Sequence, residues 1–333
     1  MAFQAPISSA RPRQTHCWCE KQHRAGHLTA GAPLQPGLIV ANYGRHFLVE
    51  TVTDERVICH SRGKKSQGVV GDRVLWQASR DQGTIERIEP RRNLFYRRDE
   101  IRTKSFAANL DQVLILIAAE PAFSNHQLAR ALIAAEAEGI KALVALNKSD
   151  LKEPFARAWQ WLTPYRDMGY QVLPVALKHT TDVQEHGLFD LLRNKTTLVL
   201  GPSGAGKSTL INRLVPGAAV LTGELSQALR SGKHTTTSTT WYWMDAAKTT
   251  ALIDSPGFQE FGLHHIDAMR LARHMPDLAA HVDGCKFYNC THLHEPGCGV
   301  IAALQRDSQP VTISIERYRI YQELFAELSQ SKY

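Results

Sequence analysis

A chain of 333 residues that is 43% hydrophobic and 21% charged can hold two or three domains, each with its own core. That balance excludes a collagen-like, disulfide-dense or wholly disordered chain, and no apolar run approaches the length of a membrane span. The formal net charge of +7 points to a polyanionic partner, with nucleic acid first.

Residues 1–35 lack hydrophobic periodicity and contain no acidic residue before Glu20, so they read as a disordered basic tail. No apolar stretch follows the start, which predicts a cytoplasmic protein, not an exported one. From 36 to 98 the text turns to short runs broken by Gly and Asp: GLIVANYGRHFLVET, ERVICHS, VVGDRVLWQA and GTIERIEPRRNLFYRR. Several short strands in so few residues predict a small β-barrel of the OB or SH3-like kind. The stretch RRNLFYRRDEIRTK at 91–104 carries six basic side chains with Phe95 and Tyr96 between them. With HSRGKK at 60–65 it would suit RNA phosphates and bases, or form a solvated interdomain face.

Between 107 and 265 strands and helices alternate. QVLILIAA, ALVALN, QVLPVA, TTLVLG and TALID are continuous apolar runs, the signature of strands buried on both faces of a parallel sheet. NHQLARALIAAEAEGI places Leu128, Leu132 and Ala135 on one helical face, with Gly139 as the stop. This is an α/β nucleotide-binding layout. Residues 266–333 read as helical, then Cys/His-rich, then helical again, with Ile315, Tyr318, Tyr321, Phe325 and Leu328 at three- and four-residue spacing.

Five motifs in this frame carry chemistry. GPSGAGKS at 201–208 follows a strand and opens a helical run, the context a phosphate-binding loop requires. Gly201, Pro202, Ser203, Gly204, Ala205, Gly206 and Thr209 would cradle phosphate oxygens with the backbone, Lys207 would reach the β/γ-phosphates, and the Ser208 hydroxyl would ligate Mg²⁺. LIDSPGF places Asp254 at a strand end to support the Mg²⁺ shell, and Gly257 where its N–H would sense the γ-phosphate. Between these two, SGKHTTTSTTWYW is a hydroxyl-rich loop that suits a switch supplying a Thr ligand to Mg²⁺. Asn147-Lys148-Ser149-Asp150 follows the strand ALVAL. The Asp150 carboxylate can accept from guanine N1–H and the N2 amine, a donor pair adenine lacks, while Asn147 supports the loop and the Lys148 stem packs over the ring.

This base reader precedes the phosphate loop, the reverse of the usual chain order. A circular permutation accounts for it, because the site needs loops at one sheet edge and no particular connectivity. The fifth motif, CKFYNCTHLHEPGC, offers Cys285, Cys290, His292, His294 and Cys298. Three thiolates and one imidazole fill a closed, structural Zn²⁺ shell. His16, Cys17 and Cys19 in the tail are not expected to hold metal.

NKSD, then GPSGAGKS, GKHTTT, DSPG and a Cys/His cluster, all behind a small β-barrel, resemble the RsgA/YjeQ family of circularly permuted, small-subunit-dependent GTPases. The likeness spans about residues 36–330. It implies an OB-fold RNA-binding barrel at 36–98, a permuted P-loop GTPase domain at 107–265 and a helical zinc-binding domain at 266–333. It also implies GTP as substrate with Mg²⁺, one structural zinc held by Cys285, Cys290, His292 and Cys298, and late maturation of the small ribosomal subunit. Partners would be that subunit and its rRNA, which would stimulate hydrolysis, with no membrane or DNA and a monomeric chain. Thr236 would be the switch ligand to Mg²⁺ and His234 the residue that orients the attacking water. Phe258 stands where many GTPases place a water-orienting Gln. Where the family commonly has a Ser-Ala-Lys second base loop, this chain has Pro174-Val175-Ala176, leaving the Ala176 N–H to meet guanine O6. Rival readings are a GTP-gated rRNA-binding factor with incidental hydrolysis, and an ATP-using P-loop enzyme that Asp150 argues against.

Overall fold

The computed structural model describes residues 33–62, 68–79, 82–178, 187–215, 217–218, 239–257, 261–304 and 313–330. Strands β1 (Gln35–Asn42), β2 (His46–Thr51), β3 (Arg56–Ser61), β4 (Arg73–Ala78) and β5 (Gly83–Ile88) close a barrel in the order β1-β2-β3-β5-β4-β1. All its pairs are antiparallel except β3 with β5. Alternate residues point inward, so Ile39, Phe47, Val49, Cys59, Val74, Trp76 and Ile85 form its core. This is the OB arrangement. A register shift between Ile39 and Ala41 bends β1, which pairs with β2 and β4 and also touches the larger sheet through Ala41 opposite Thr240.

The larger sheet runs β10 (Gln171–Val175), β9 (Lys141–Asn147), β8 (Gln112–Ala118), β11 (Thr196–Leu200), β13 (Ala251–Asp254) and β12 (Thr240–Trp243). Its first five strands are parallel and β12 is antiparallel to β13. Every residue of β8 is buried. Val113, Ile115 and Ile117 join the cluster containing α1 (Asn125–Ala137), whereas Leu114 and Leu116 join Leu210 and Ile211 of α5 (Lys207–Leu214) on the other face. Pro174, which cannot donate to a ladder, sits on the edge strand β10. Helix α1 starts at a Ser124 side-chain cap, and Gly139 follows its end at φ +62°. Helices α2 (Lys152–Trp161), α3 (Thr163–Asp167) and α4 (Leu188–Leu192) fill the remaining crossovers.

The run expected from 83 to 98 divides at Pro90. Its second half, β6 (Leu94–Arg98), pairs with β7 (Thr103–Ala108) as a separate hairpin. Phe95 is fully buried, with its ring 5.9 Å from Phe106 and 5.8 Å from Phe261, so it is core and not a stacking platform for bases. Tyr96 is half-buried against the His265 ring at 4.4 Å. Arg91 is salt-bridged to the buried Asp72 at 2.7 Å, Arg92 to Asp111 at 2.8 Å and Arg97 to Asp99 at 3.8 Å, so three of the six cations already have carboxylate partners.

After Asp267 caps a 3₁₀ helix (Ala268–His274) come α6 (Pro276–Val282), α7 (Gly299–Leu304) and α8 (Ile315–Gln330). The buried face of α8 is Arg317, Ile320, Tyr321, Leu324 and Leu328. Ile315, expected on that face, is 77% exposed; Arg317 takes a buried place by pairing with Asp277 at 2.9 and 3.0 Å. Among the described residues no helix is long and apolar enough to cross a membrane.

Candidate functional site

Parallel strands deliver their C-terminal ends to one edge of the sheet, where doubly wound proteins bind ligands. Asn147 ends β9, Gly201 follows β11 and Asp254 ends β13, so three loops far apart in the chain meet there. The Asn147 side chain joins the first two of these to the loop after β10. Its amide donates to the Ala205 carbonyl at 2.9 Å, and its oxygen accepts from the backbone N–H groups of Lys148 at 2.8 Å and Leu177 at 3.0 Å. The fit leaves no room for a side chain at Gly206: it lies at φ +107°, and a Cβ there would stand 2.4 Å from the Asn147 amide nitrogen. Ser149 N–H donates to the Val175 carbonyl at 3.1 Å, which binds the two base-side loops together. Asn147 is therefore committed to loop architecture, while Asp150, three residues on, is exposed at the same edge. Ala176 is buried at the same edge. Lys148 adopts φ +67°, and its ammonium donates to the Glu120 carbonyl in the loop after β8. Sequence reasoning missed this partner, because a backbone carbonyl leaves no residue-type signal.

The phosphate-loop side is charged and incompletely paired. Lys207, at the first turn of α5, donates to the carbonyls of Gly201 at 2.7 Å and Pro202 at 3.1 Å. Burial lowers its pKa, opposed by the nearby Asp254 carboxylate. Asp254 is 6% exposed, and burial pushes its carboxyl up to about 6 against the pull of Lys207 and the Ser255 N–H. Its Oδ1 is buried without a hydrogen-bond partner among the described residues. The Ser255 hydroxyl donates to the Val199 carbonyl at 2.7 Å, fastening the end of β13 to β11. Gly257 then passes over the loop: a Cβ on it would lie 3.3 Å from the Lys207 ammonium and 3.5 Å from the Ser203 nitrogen. Ser203, Gly204, Ser208 and Thr209 are exposed on this face, while Pro202 is half-buried. An orphaned carboxylate oxygen at the phosphate loop fits a hard cation such as Mg²⁺, and the helix N-terminus with Lys207 fits phosphate. His234, Thr236 and Phe258 lie outside the described residues.

The second cluster is in the C-terminal region. The ligand atoms of Cys285, Cys290, His292 and Cys298 all lie within 4.8 Å of one another. Cys285 Sγ and Cys298 Sγ are each 3.4 Å from His292 Nδ1 and 3.9 Å from each other. Ligands at tetrahedral zinc distances stand ~3.5–3.8 Å apart, so the spacing suits that ion. His294 is exposed and not among the four. The Gly299 N–H donates to Cys285 Sγ at 3.3 Å and the Ile301 N–H to Cys298 Sγ at 3.4 Å, so backbone amides orient both sulfurs. Tyr318 and Tyr321 of α8 donate to the carbonyls of His292 and Thr291, both at 2.7 Å. Their three-residue spacing was legible as helix periodicity, but the hydroxyl partners were not.

Comparison with known proteins agrees with this geometry. Residues 88–264 match the model of the family described as RsgA GTPase. The chain is 71% identical over 308 residues to the small ribosomal subunit biogenesis GTPase RsgA of Variovorax paradoxus (strain S110), covering 92% of this chain and 97% of that protein. It is 48% identical over 299 residues to the protein so named in Paraburkholderia xenovorans (strain LB400), covering 88% and 93%. Among solved structures it is similar to YloQ, a circularly permuted GTPase, with a TM-score of 0.65 and 26% identity over 92% of this chain and 98% of that one. YjeQ from Thermotoga maritima gives 0.67 and 25% over 90% and 99%. With a base-side loop placed upstream of the phosphate loop and closed against it by Asn147, the chain belongs to the RsgA GTPase family, a circularly permuted GTPase.

Proposed function

We propose that this protein hydrolyses GTP in the cytoplasm as a factor in small ribosomal subunit biogenesis, and that the subunit, through its rRNA, stimulates the reaction. The observation that carries the nucleotide reading is the Asn147 bridge, which sets an exposed Asp150 and the phosphate loop at one sheet edge. The relatives' printed names carry the ribosomal reading. In this account Asp150 accepts from the guanine edge, and Ala176 N–H meets O6 in place of the usual serine-containing loop. Gly201 to Thr209 hold the phosphates, and Ser208 and Thr236 hold Mg²⁺ with Asp254 behind them. Bound Mg²⁺ would neutralise charge on the phosphate oxygens. Lys207 offsets negative charge on the β/γ side, and Gly257 N–H reports the γ-phosphate. His234 orients the attacking water when the partner is bound. Hydrolysis is therefore slow alone.

Asp150→Ala removes two charge-assisted hydrogen bonds, each worth about 1.5–3 kcal/mol, so GTP affinity should fall at least ~10²-fold while ATP affinity stays put. Competition binding with GTP, GDP and ATP reads this directly; equal loss for ATP would remove Asp150 from base recognition. For zinc, Cys290→Ser should lower metal content below one equivalent and open residues 276–330 to protease, with GDP affinity retained. Full zinc content measured by elemental analysis would take Cys290 out of the ligand set.

A further inference from the structure

The four side chains of the Cys/His cluster reach their places by two different routes. Cys285 closes the turn after α6, its N–H donating to the Val282 carbonyl at 3.1 Å. Cys298 opens α7, its carbonyl accepting from the Ala302 N–H at 3.0 Å. These two turns are tied together by the Lys286 N–H, which donates to the Gly297 carbonyl at 2.9 Å. Cys290 and His292 have no such element behind them, for residues 290–295 form neither helix nor strand. Moreover, His292 adopts φ +59°, a left-handed conformation that residues other than glycine rarely take. Such a backbone persists only where its surroundings hold it.

The group that holds it is the carboxylate of Glu295. One oxygen accepts from the Thr291 N–H at 2.8 Å and from the Thr291 hydroxyl. The other accepts from the N–H groups of Leu293 at 3.2 Å and His294 at 3.3 Å, and stands 3.6 Å from Cys290 Sγ. Backbone amides outside any ladder need partners, and here three of them converge on one charged acceptor, the stronger kind of hydrogen bond. The carbonyls of the same stretch go elsewhere: Thr291 and His292 accept from the Tyr321 and Tyr318 hydroxyls of α8. The loop that carries two of the four ligands is thus gripped by its amides through Glu295 and by its carbonyls through α8. With its oxygens committed to these donors, Glu295 is not one of the clustered ligand groups.

We propose that Glu295 is a positioning residue for the metal: by gathering the amides of Thr291, Leu293 and His294 it holds Cys290 and His292 at ligand distance from Cys285 and Cys298, and so tightens zinc binding without touching the ion. The inference rests on the reading of those four side chains as a zinc site. Groups that orient metal ligands carry about 10- to 100-fold in metal affinity, which sets the size of the expected effect.

The test measures the zinc affinity of the full chain by competition with a chromophoric chelator, and the visible bands of the Co²⁺-loaded protein, beside thermal melts. It compares the parent with Glu295→Gln, Thr291→Val, Tyr318→Phe and Leu328→Ala. Glu295→Gln keeps the size of the side chain but turns one acceptor oxygen into a donor facing donors. Expected is a zinc affinity about 10- to 100-fold lower in Glu295→Gln with altered Co²⁺ bands, and several-fold lower in Thr291→Val and Tyr318→Phe. Leu328→Ala removes buried packing from the far end of α8. It should lower the melting temperature while zinc affinity stays within about 2-fold of the parent and the Co²⁺ bands are unchanged. An equal loss of affinity in Leu328→Ala would trace the effect to general stability and overturn the proposal. One zinc held as tightly by Glu295→Gln as by the parent overturns it too. If Glu295→Gln does not fold, unchanged affinity in Thr291→Val and Tyr318→Phe does so equally. A parent chain that takes up no zinc would instead overturn the reading of the cluster as a zinc site, and the inference with it.

Discussion

Lys207→Ala should lower GTP turnover by roughly 10²- to 10³-fold, the range for removing one preorganised donor from a charge-developing site. The loss follows from geometry. Among the described residues Lys207 Nζ is hydrogen-bonded to the carbonyls of Gly201 and Pro202 and to no carboxylate, so it is held at the loop and partly desolvated. Its two present bonds are replaceable by water, so the variant should fold, and the melting temperature should change little. Rate and stability therefore separate, and a thermal melt beside a single-turnover assay reads both. A variant as fast as the parent would mean that the charge is not used on the phosphates.

The largest stability effect is expected at the buried pair of Asp277 and Arg317. They are 7% and 4% exposed, joined by bonds of 2.9 and 3.0 Å, and the guanidinium lies 5.2 Å over the Tyr165 ring. Arg317→Ala strands a carboxylate in the packing of α6 and α8 and should cost about 3–5 kcal/mol. In a chain of this size that lowers the melting temperature by on the order of 10 °C. Replacing both partners with apolar residues of similar volume, as in Asp277→Leu with Arg317→Met, should recover most of the loss, since no charge is then left unpaired. A double variant as unstable as Arg317→Ala would show that packing against Tyr165, not the charge, is what matters. Differential scanning calorimetry of the three proteins decides it.

The α/β strands and the motif loops were legible because their physical demands are written in residue type. Continuous apolar runs state burial on both faces, and Gly201, Gly204 and Gly206 state a backbone that folds inward. The metal cluster was legible for the same reason, since three Cys and a His within fourteen residues have few other uses. What failed were side chains with two compatible environments. Phe95 among arginines reads equally as a stacking surface or a core residue, and only the pairing of β6 with β7 places it inside. Arg317 concealed the buried face of α8, because a cation on that face announces itself only with its distant partner Asp277. The links through main-chain carbonyls, Glu120 to Lys148 and Phe261 to Arg130, are invisible to any reading by residue type.

The most direct test of the central claim is steady-state GTP hydrolysis with and without purified small ribosomal subunits, with ATP and large subunits as controls and His234→Ala in parallel. The account predicts a rise of ~10²-fold or more that is specific to GTP and to the small subunit, and that His234→Ala loses. A rate unchanged by small subunits, or raised equally by large ones, would contradict it.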